Sequence, residues 1–244
     1  MASVAVRVMS RQGHAPKPAP VHPFDRQFGT DTSGLIPASA LATGHSNDAH
    51  VTAYYGVAPS ILQGVIDLWL RVGPSLPIDR YTFLDVGAGK GRAMLCASQH
   101  PFAQVVGVEL NPGLAAIANA NLVLFEEHPE AQMLSPARVV QGDALEVPLP
   151  EGPLLVFLFH PFEAPVLRRF AARLVAHGAT ERCDLLYVNS EHGMVLDRME
   201  RLERVFHGRV AMSAEDHLAD LAEIEEQTEY GSTGDELCSL YRLV

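Results

Sequence analysis

Three short motifs set a carboxylate beside glycine or at the end of an apolar run. The first, "FLDVGAGKGR" at residues 83–92, closes an apolar run with Asp85 and continues through Gly87, Ala88, Gly89 and Gly91. The second, "GVELN" at 107–111, carries Glu109 and Leu110, and the third, "GDAL" at 142–145, carries Asp143 and Ala144. Glycine lets backbone approach a ligand with no Cβ in the way. A carboxylate accepts hydrogen bonds from an ammonium group, from paired hydroxyls or from an exocyclic amine. Together the three motifs describe a cleft for a charged, hydroxyl-bearing ligand.

Three ligand classes use glycine loops of this kind. A nucleoside triphosphate requires GxxxxGK[ST]. Here Gly91 follows Lys90, and no Ser or Thr is in place to hold magnesium. A dinucleotide requires GxGxxG; this loop is GxGxG, with Arg92 at the third glycine position and Asp85 where a pyrophosphate would be repelled. A cationic, phosphate-free nucleoside fits best, and S-adenosylmethionine has that chemistry. Asp85 is expected to face its ammonium, Gly87 to Gly91 its methionine part, and Glu109 with Leu110 its ribose. Asp143 is expected at the adenine amino group, with the Ala144 N–H toward the ring.

These residues need strands that deliver them to one edge. Apolar runs predict strands at 81–86, 103–110, 137–145, 153–160 and 183–190, the fourth apolar enough to lie centrally in a parallel sheet. Helices are expected over 60–72 with Ser60 as N-cap, over 92–99, from Pro112 with Asn111 as N-cap, over 164–178 and over 194–205. Two strands, near 205–210 and at 236–244, close the chain around an acid-rich stretch, 213–236. Alternating strand and helix give a three-layer α/β sandwich with a mostly parallel sheet. In such sheets ligands sit at the carboxyl ends of the strands, where strand order reverses.

The composition agrees with that class. The chain has 244 residues, 48% of them hydrophobic, which suffices for one well-buried domain. A net charge of −11 argues against broad nucleic-acid or membrane binding. Cys96, Cys183 and Cys238 form no CxxC pair, so reduced thiols and a cytoplasmic location are expected. No apolar run reaches the roughly 18–20 residues that span a bilayer. His45 and His50, like His14 and His22, lack partners at metal-ligand spacing in the sequence, so no metal is expected. The organisation reads as a Pro-rich tail (1–23), an N-terminal extension or lid (24–56) and a catalytic domain (57–244).

With "DVGAGKG", "GVELN" and "GDAL" in this order, the chain resembles the class I, Rossmann-like S-adenosylmethionine-dependent methyltransferases over residues 55–244. "FDRQFGTDTSG" followed by "YYGVAPS" looks like an uncharacterised bacterial branch with the same extension. The resemblance implies a seven-stranded sheet with an antiparallel last strand, S-adenosyl-L-methionine as cofactor and S-adenosyl-L-homocysteine as product. Many relatives that methylate amino groups carry Asn or Asp before Pro-Pro-aromatic after the fourth strand. This chain has His160-Pro161-Phe162, which departs from that pattern. His160 is therefore read either as a general base or as part of the pocket wall, with His192 a second candidate. Tyr55, and less so Tyr54, is read as closing the site over the cofactor. "FGTDTSG" is read as a lid or an outer strap. The expected acceptor is a small molecule taking methyl on O or N. A protein lysine acceptor and a non-catalytic cofactor-binding role are the alternatives. The sequence does not specify an oligomeric state.

Overall fold

The computed structural model describes residues 20–178, 181–224 and 234–244. In chain order it contains α1 (Pro23–Phe28), α2 (Pro59–Val72), β1 (Thr82–Val86), α3 (Arg92–Ser98), β2 (Gln104–Glu109), α4 (Pro112–Glu127) and β3 (Ala137–Gln141). Then follow β4 (Leu154–Phe159), α5 (Ala164–His177), β5 (Cys183–Val188), α6 (Gly193–Asp197), β6 (Leu202–Ala211), α7 (Ala214–Ile224) and β7 (Asp235–Leu243). The seven strands form one sheet in the order β3-β2-β1-β4-β5-β7-β6. β7 is antiparallel to both neighbours and the other pairings are parallel. Strand order reverses between β1 and β4, so the crevice beside their carboxyl ends is where a ligand is expected.

Side-chain alternation explains why the central strands are apolar throughout. Phe83 and, on β4, Leu155 and Phe157 point to one face, where α2 and α3 supply Ile61, Val65, Trp69 and Leu95. Leu84 and Val86, with Leu154, Val156 and Leu158, point to the other face against Leu167, Phe170 and Leu174 of α5. A strand buried on both faces cannot alternate with polar residues. Trp69 Nε1–H donates to Asp184 at 2.7 Å and Arg242 Nε donates to the same carboxylate at 2.9 Å, tying α2 to β5 and β7.

Local readings shift in four places. Ser60 is not the N-cap of α2: Ala58 is, with Pro59 as the first helical residue. Asp216 of α7 takes the capping role, accepting the Ser60 N–H at 2.8 Å. A helix over 194–205 stops at Asp197, because 202–211 pairs with β7 along its length. Pairing with a neighbouring strand outweighs the helical propensity of that Met-Glu-Arg-Leu run. Within the acid-rich stretch, 214–224 forms α7 and buries Asp216, Asp220 and Glu223; residues 225–233 lie outside the described residues. Of the expected tail, residues 1–19 also lie outside them, while His22 is buried and Pro23 opens α1. Among the described residues no helix is long and apolar enough to cross a membrane.

Candidate active site

The turn after β1 is shaped by two close approaches. Gly87 has φ +76°, and a Cβ there would sit 2.5 Å from Pro161 Cβ. Gly89 has φ +55°, and a Cβ there would sit 2.3 Å from the ring of Tyr54. Only glycine fits both the positive φ and the space. The N–H groups of Gly87 and Ala88 donate to Val108 O at 2.9 and 3.1 Å, fastening the turn to β2.

That turn aims the Gly89 N–H at Glu109 Oε2, 2.7 Å away, and the Asn111 N–H donates to Glu109 Oε1 at 2.8 Å. Burial still holds the Glu109 carboxyl above its ordinary range despite these donors. Asp85 is 3% exposed and pairs in register with Gly107 and Phe157. Burial, with Glu109 nearby, pushes its carboxyl up to about 8. After β3, Asp143 accepts from the Leu145 N–H and from Asn47 Nδ2, both at 2.8 Å.

A cavity of about 870 Å³, including solvent at its mouth, opens beside these groups. Of the residues named from sequence, Gly87, Gly89, Glu109, Leu110, Asp143, Ala144, Tyr54 and Tyr55 line it. Asp85, Ala88, Gly91 and His160 are not on its wall. Asp85 lies within β1. Ala88 is turned into the core, and Gly91 (φ +91°) packs on Ala118 as the N-cap of α3. His160, with φ +42°, lines a second cavity of about 1310 Å³, solvent included, that shares Val51, Thr52, Ala53, Tyr55 and Phe159 with the first. There its Nδ1 is 3.1 Å from Tyr187 Oη and its Nε2 3.7 Å from Glu191. Burial holds its pKa below the ordinary histidine value. His192 stands with its ring 5.1 Å from that of His160.

The cover over the first cavity is residues 41–55, part of the stretch 24–56 expected as an N-terminal extension or lid. Asn47 donates to Asp143, Asn111 Nδ2 donates to Leu41 O at 3.0 Å, and Thr52 Oγ1 donates to His160 O at 2.6 Å. The turn-forming run "TGHSND" was its only local signal: Asp48 accepts the N–H groups of Thr43, Gly44 and His45. "FGTDTSG" does not line this cavity. It lies as a strap beside α3, where Lys90 Nζ donates to Asp31 and to Ser33 O, both at 2.7 Å. Tyr54 reaches back to it, donating to Thr32 O at 2.6 Å, and Tyr55 Oη donates to Asp220 at 2.6 Å.

The fold also gathers His45, Asp143 and Glu146 into a group of metal-ligating types. His45 Nδ1 accepts the Asn47 N–H at 3.2 Å, and its Nε2 faces Asp143 at 3.9 Å.

Comparison with known proteins agrees with this geometry. Residues 84–163 match the model of a methyltransferase domain. No curated protein matches the chain. Among solved structures, magnesium protoporphyrin IX methyltransferase from Synechocystis PCC 6803 with bound SAM is 12% identical, at a TM-score of 0.50 over 76% of this chain and 79% of that one. TrmN from Thermus thermophilus is 16% identical, at 0.49 over 77% and 49%. An RNA methyltransferase from Salinibacter ruber in complex with S-adenosyl-L-homocysteine is 18% identical, at 0.42 over 73% and 90%. Strand order, the turn after β1 and the matched domain lead to one conclusion: the chain has the class I, Rossmann-like methyltransferase fold, and its residues 84–163 are similar to a methyltransferase domain.

Proposed function

We propose that the chain binds S-adenosylmethionine in the first cavity and transfers its methyl group to a small-molecule O or N acceptor held in the second. The observation that carries this reading is the wall of that cavity, where the Gly87–Gly89 turn, Glu109 and Asp143 come together; two residues before the turn, in β1, stands Asp85. It is a buried carboxyl, pushed up to about 8, to which no described residue donates a hydrogen bond. A cation is what such a group lacks, and the cofactor's ammonium would supply one. Glu109 keeps lone pairs beyond those used by Gly89 and Asn111, and these suit ribose hydroxyls. Asp143 and Ala144 stand where the adenine edge would lie, and Pro161 and Phe162 give apolar walls.

Bound there, the cofactor supplies an electrophilic methyl on sulfur. The chain's own task is to align the acceptor with it and to keep water out. Tyr55 stands on the wall common to both cavities. His160 lines the acceptor side, uncharged near neutral pH because burial disfavours the imidazolium, and so able to take an acceptor proton. Its contacts with Tyr187 and Glu191 orient the ring.

Calorimetric titration with adenosyl-homocysteine tests the cofactor site. Glu109→Ala removes a charged acceptor, so affinity should fall about ten- to a hundredfold, with Glu109→Gln intermediate. Equal affinity in all three proteins would overturn the site. Asp85 adds a proton count. With its carboxyl at about 8, roughly nine-tenths of the free protein is protonated at pH 7. Binding of the ammonium-bearing ligand should then release close to one proton, read from the dependence of the enthalpy on buffer ionisation. Zero release would separate Asp85 from the ligand.

A further inference from the structure

The second cavity has a consistent charge. Four carboxylates line it, from Glu163, Glu191, Asp220 and Glu236, and no described Lys or Arg does. They come from four parts of the fold: the start of α5, the loop after β5, α7 and β7. Asp220 is 3% exposed and Glu236 is half-buried, so neither is an ordinary solvated surface acid. Burial, together with neighbouring acids, raises both, to about 6 and about 7. The remaining lining is apolar, including Leu35, Phe159 and Ile224. Two non-glycine residues with positive φ, His160 (+42°) and Asn189 (+50°), close the adjacent strands β4 and β5, and both line this cavity. Such backbone is uncommon and gathers at functional sites.

A site of this kind disfavours a carboxylate or phosphate-bearing acceptor, since desolvated like charges repel. A cation gains from every one of these carboxylates, and an alkyl chain gains from the apolar wall. Resting on the methyltransferase reading, we propose that the acceptor is a primary alkylamine, which enters as its ammonium ion with the carboxylates as counter-charge. Before transfer the ammonium loses one proton to the solvent that reaches this cavity, leaving the neutral amine beside His160. The freed nitrogen lone pair forms the N–C bond as the C–S bond breaks and its electron pair stays on sulfur. The product nitrogen carries the positive charge, still opposite the carboxylates.

The test is a binding titration with and without saturating adenosyl-homocysteine. The probes are butane-1,4-diamine and Nα-acetyl-lysine amide, with butanoate and butan-1-ol as charge controls. Either amine should bind at least tenfold more tightly than both controls, and the better amine tells a free amine from a lysine side chain. Glu236→Gln should weaken amine binding several-fold and leave adenosyl-homocysteine affinity unchanged; Asp220→Asn, whose carboxylate also holds Tyr55, should weaken amine binding several-fold. Glu163→Gln, at the exposed rim, serves if a buried variant fails to fold, and should weaken it less. Failure of adenosyl-homocysteine to bind would sink the cofactor reading. Normal adenosyl-homocysteine binding with controls equal to the amines, or with amine affinity indifferent to every variant, would sink the amine assignment alone.

Discussion

Residues 22–34 and residues 41–55 both lie N-terminal to α2 and both pack on the sheet domain, yet they are held in different ways. The first segment, the strap, is fixed by buried charge. Arg92, in the first turn of α3 and 2% exposed, donates from Nε to Thr32 Oγ1 at 2.7 Å and from Nη1 to Gly56 O at 3.1 Å. Its guanidinium lies within 4.0 Å of Asp25 and 3.7 Å of Glu223. Burial alone would raise Asp25, but Ser33, Thr30, Thr32 and Arg92 outweigh it and hold the carboxyl below its usual range. Phe24 and Phe28 join the core beside Phe125. The second segment, the cover, rests on neutral or half-exposed contacts: Asn47 on Asp143, Asn111 on Leu41, Thr52 on the His160 carbonyl. Breaking the first set strands charge in the interior, whereas breaking the second lets each group find water. The strap is therefore tied to the domain by buried charge, and the cover by contacts that water can replace.

The sharpest way to break that contrast is Arg92→Met. Removing one partner of a buried ionic cluster leaves Asp25 and Glu223 uncompensated, so stability should drop by about 3–5 kcal/mol in denaturant unfolding. A loss below about 1 kcal/mol would make the strap as dispensable as the cover.

Acid should act on the strap next. His22 is 1% exposed, and burial with Arg92 lowers its pKa from 6.5 to about 4, against the opposing pull of Asp216 and Asp25; Arg26 adds to the lowering. Because the unfolded chain binds the proton more readily, this contribution is complete above about 6.5 and is lost as pH falls toward 4. Asp220, raised to about 6, runs the opposite way over part of the same window. The useful quantity is therefore the difference from His22→Asn, which keeps an N-cap acceptor for the Phe24 N–H. Between pH 6.5 and 4 the wild type should lose on the order of 2–3 kcal/mol more than the variant. Parallel pH profiles would detach His22 from the strap's energetics.

The smallest effect belongs to the cover. Asn47→Ala should change stability by less than about 0.5 kcal/mol. It should weaken adenosyl-homocysteine binding by about 1 kcal/mol, roughly fivefold. A large stability loss with unaltered binding would exchange the roles of the two segments.

How much of this the sequence carried depended on chain distance. The turn from Asp85 to Gly91, the tip at Glu109 and the Asn111 cap were legible because each is made by neighbouring residues: an apolar run, a glycine, an Asn before Pro. The cap of α2 was not, because its acceptor, Asp216, comes from α7. The contact that fastens the cover was not, because Asn47 meets Asp143 only once β3 has been placed in the sheet. Nor was the division of labour around His160. The histidine follows β4, as read, but its positive φ turns the ring toward Tyr187 and away from the first cavity. For 202–211 local preference misled, since the partner that makes it a strand lies in 235–243.

The position of β7 has a consequence for biosynthesis. It comes after β6 in the chain but lies between β5 and β6 in the sheet. A nascent polypeptide leaving the ribosome therefore holds β6 without a neighbour until residues 235–243 emerge. Any product that stops short of them keeps the crevice between β1 and β4 but offers open hydrogen-bonding edges on β5 and β6, so premature termination should yield insoluble chains rather than weak enzymes.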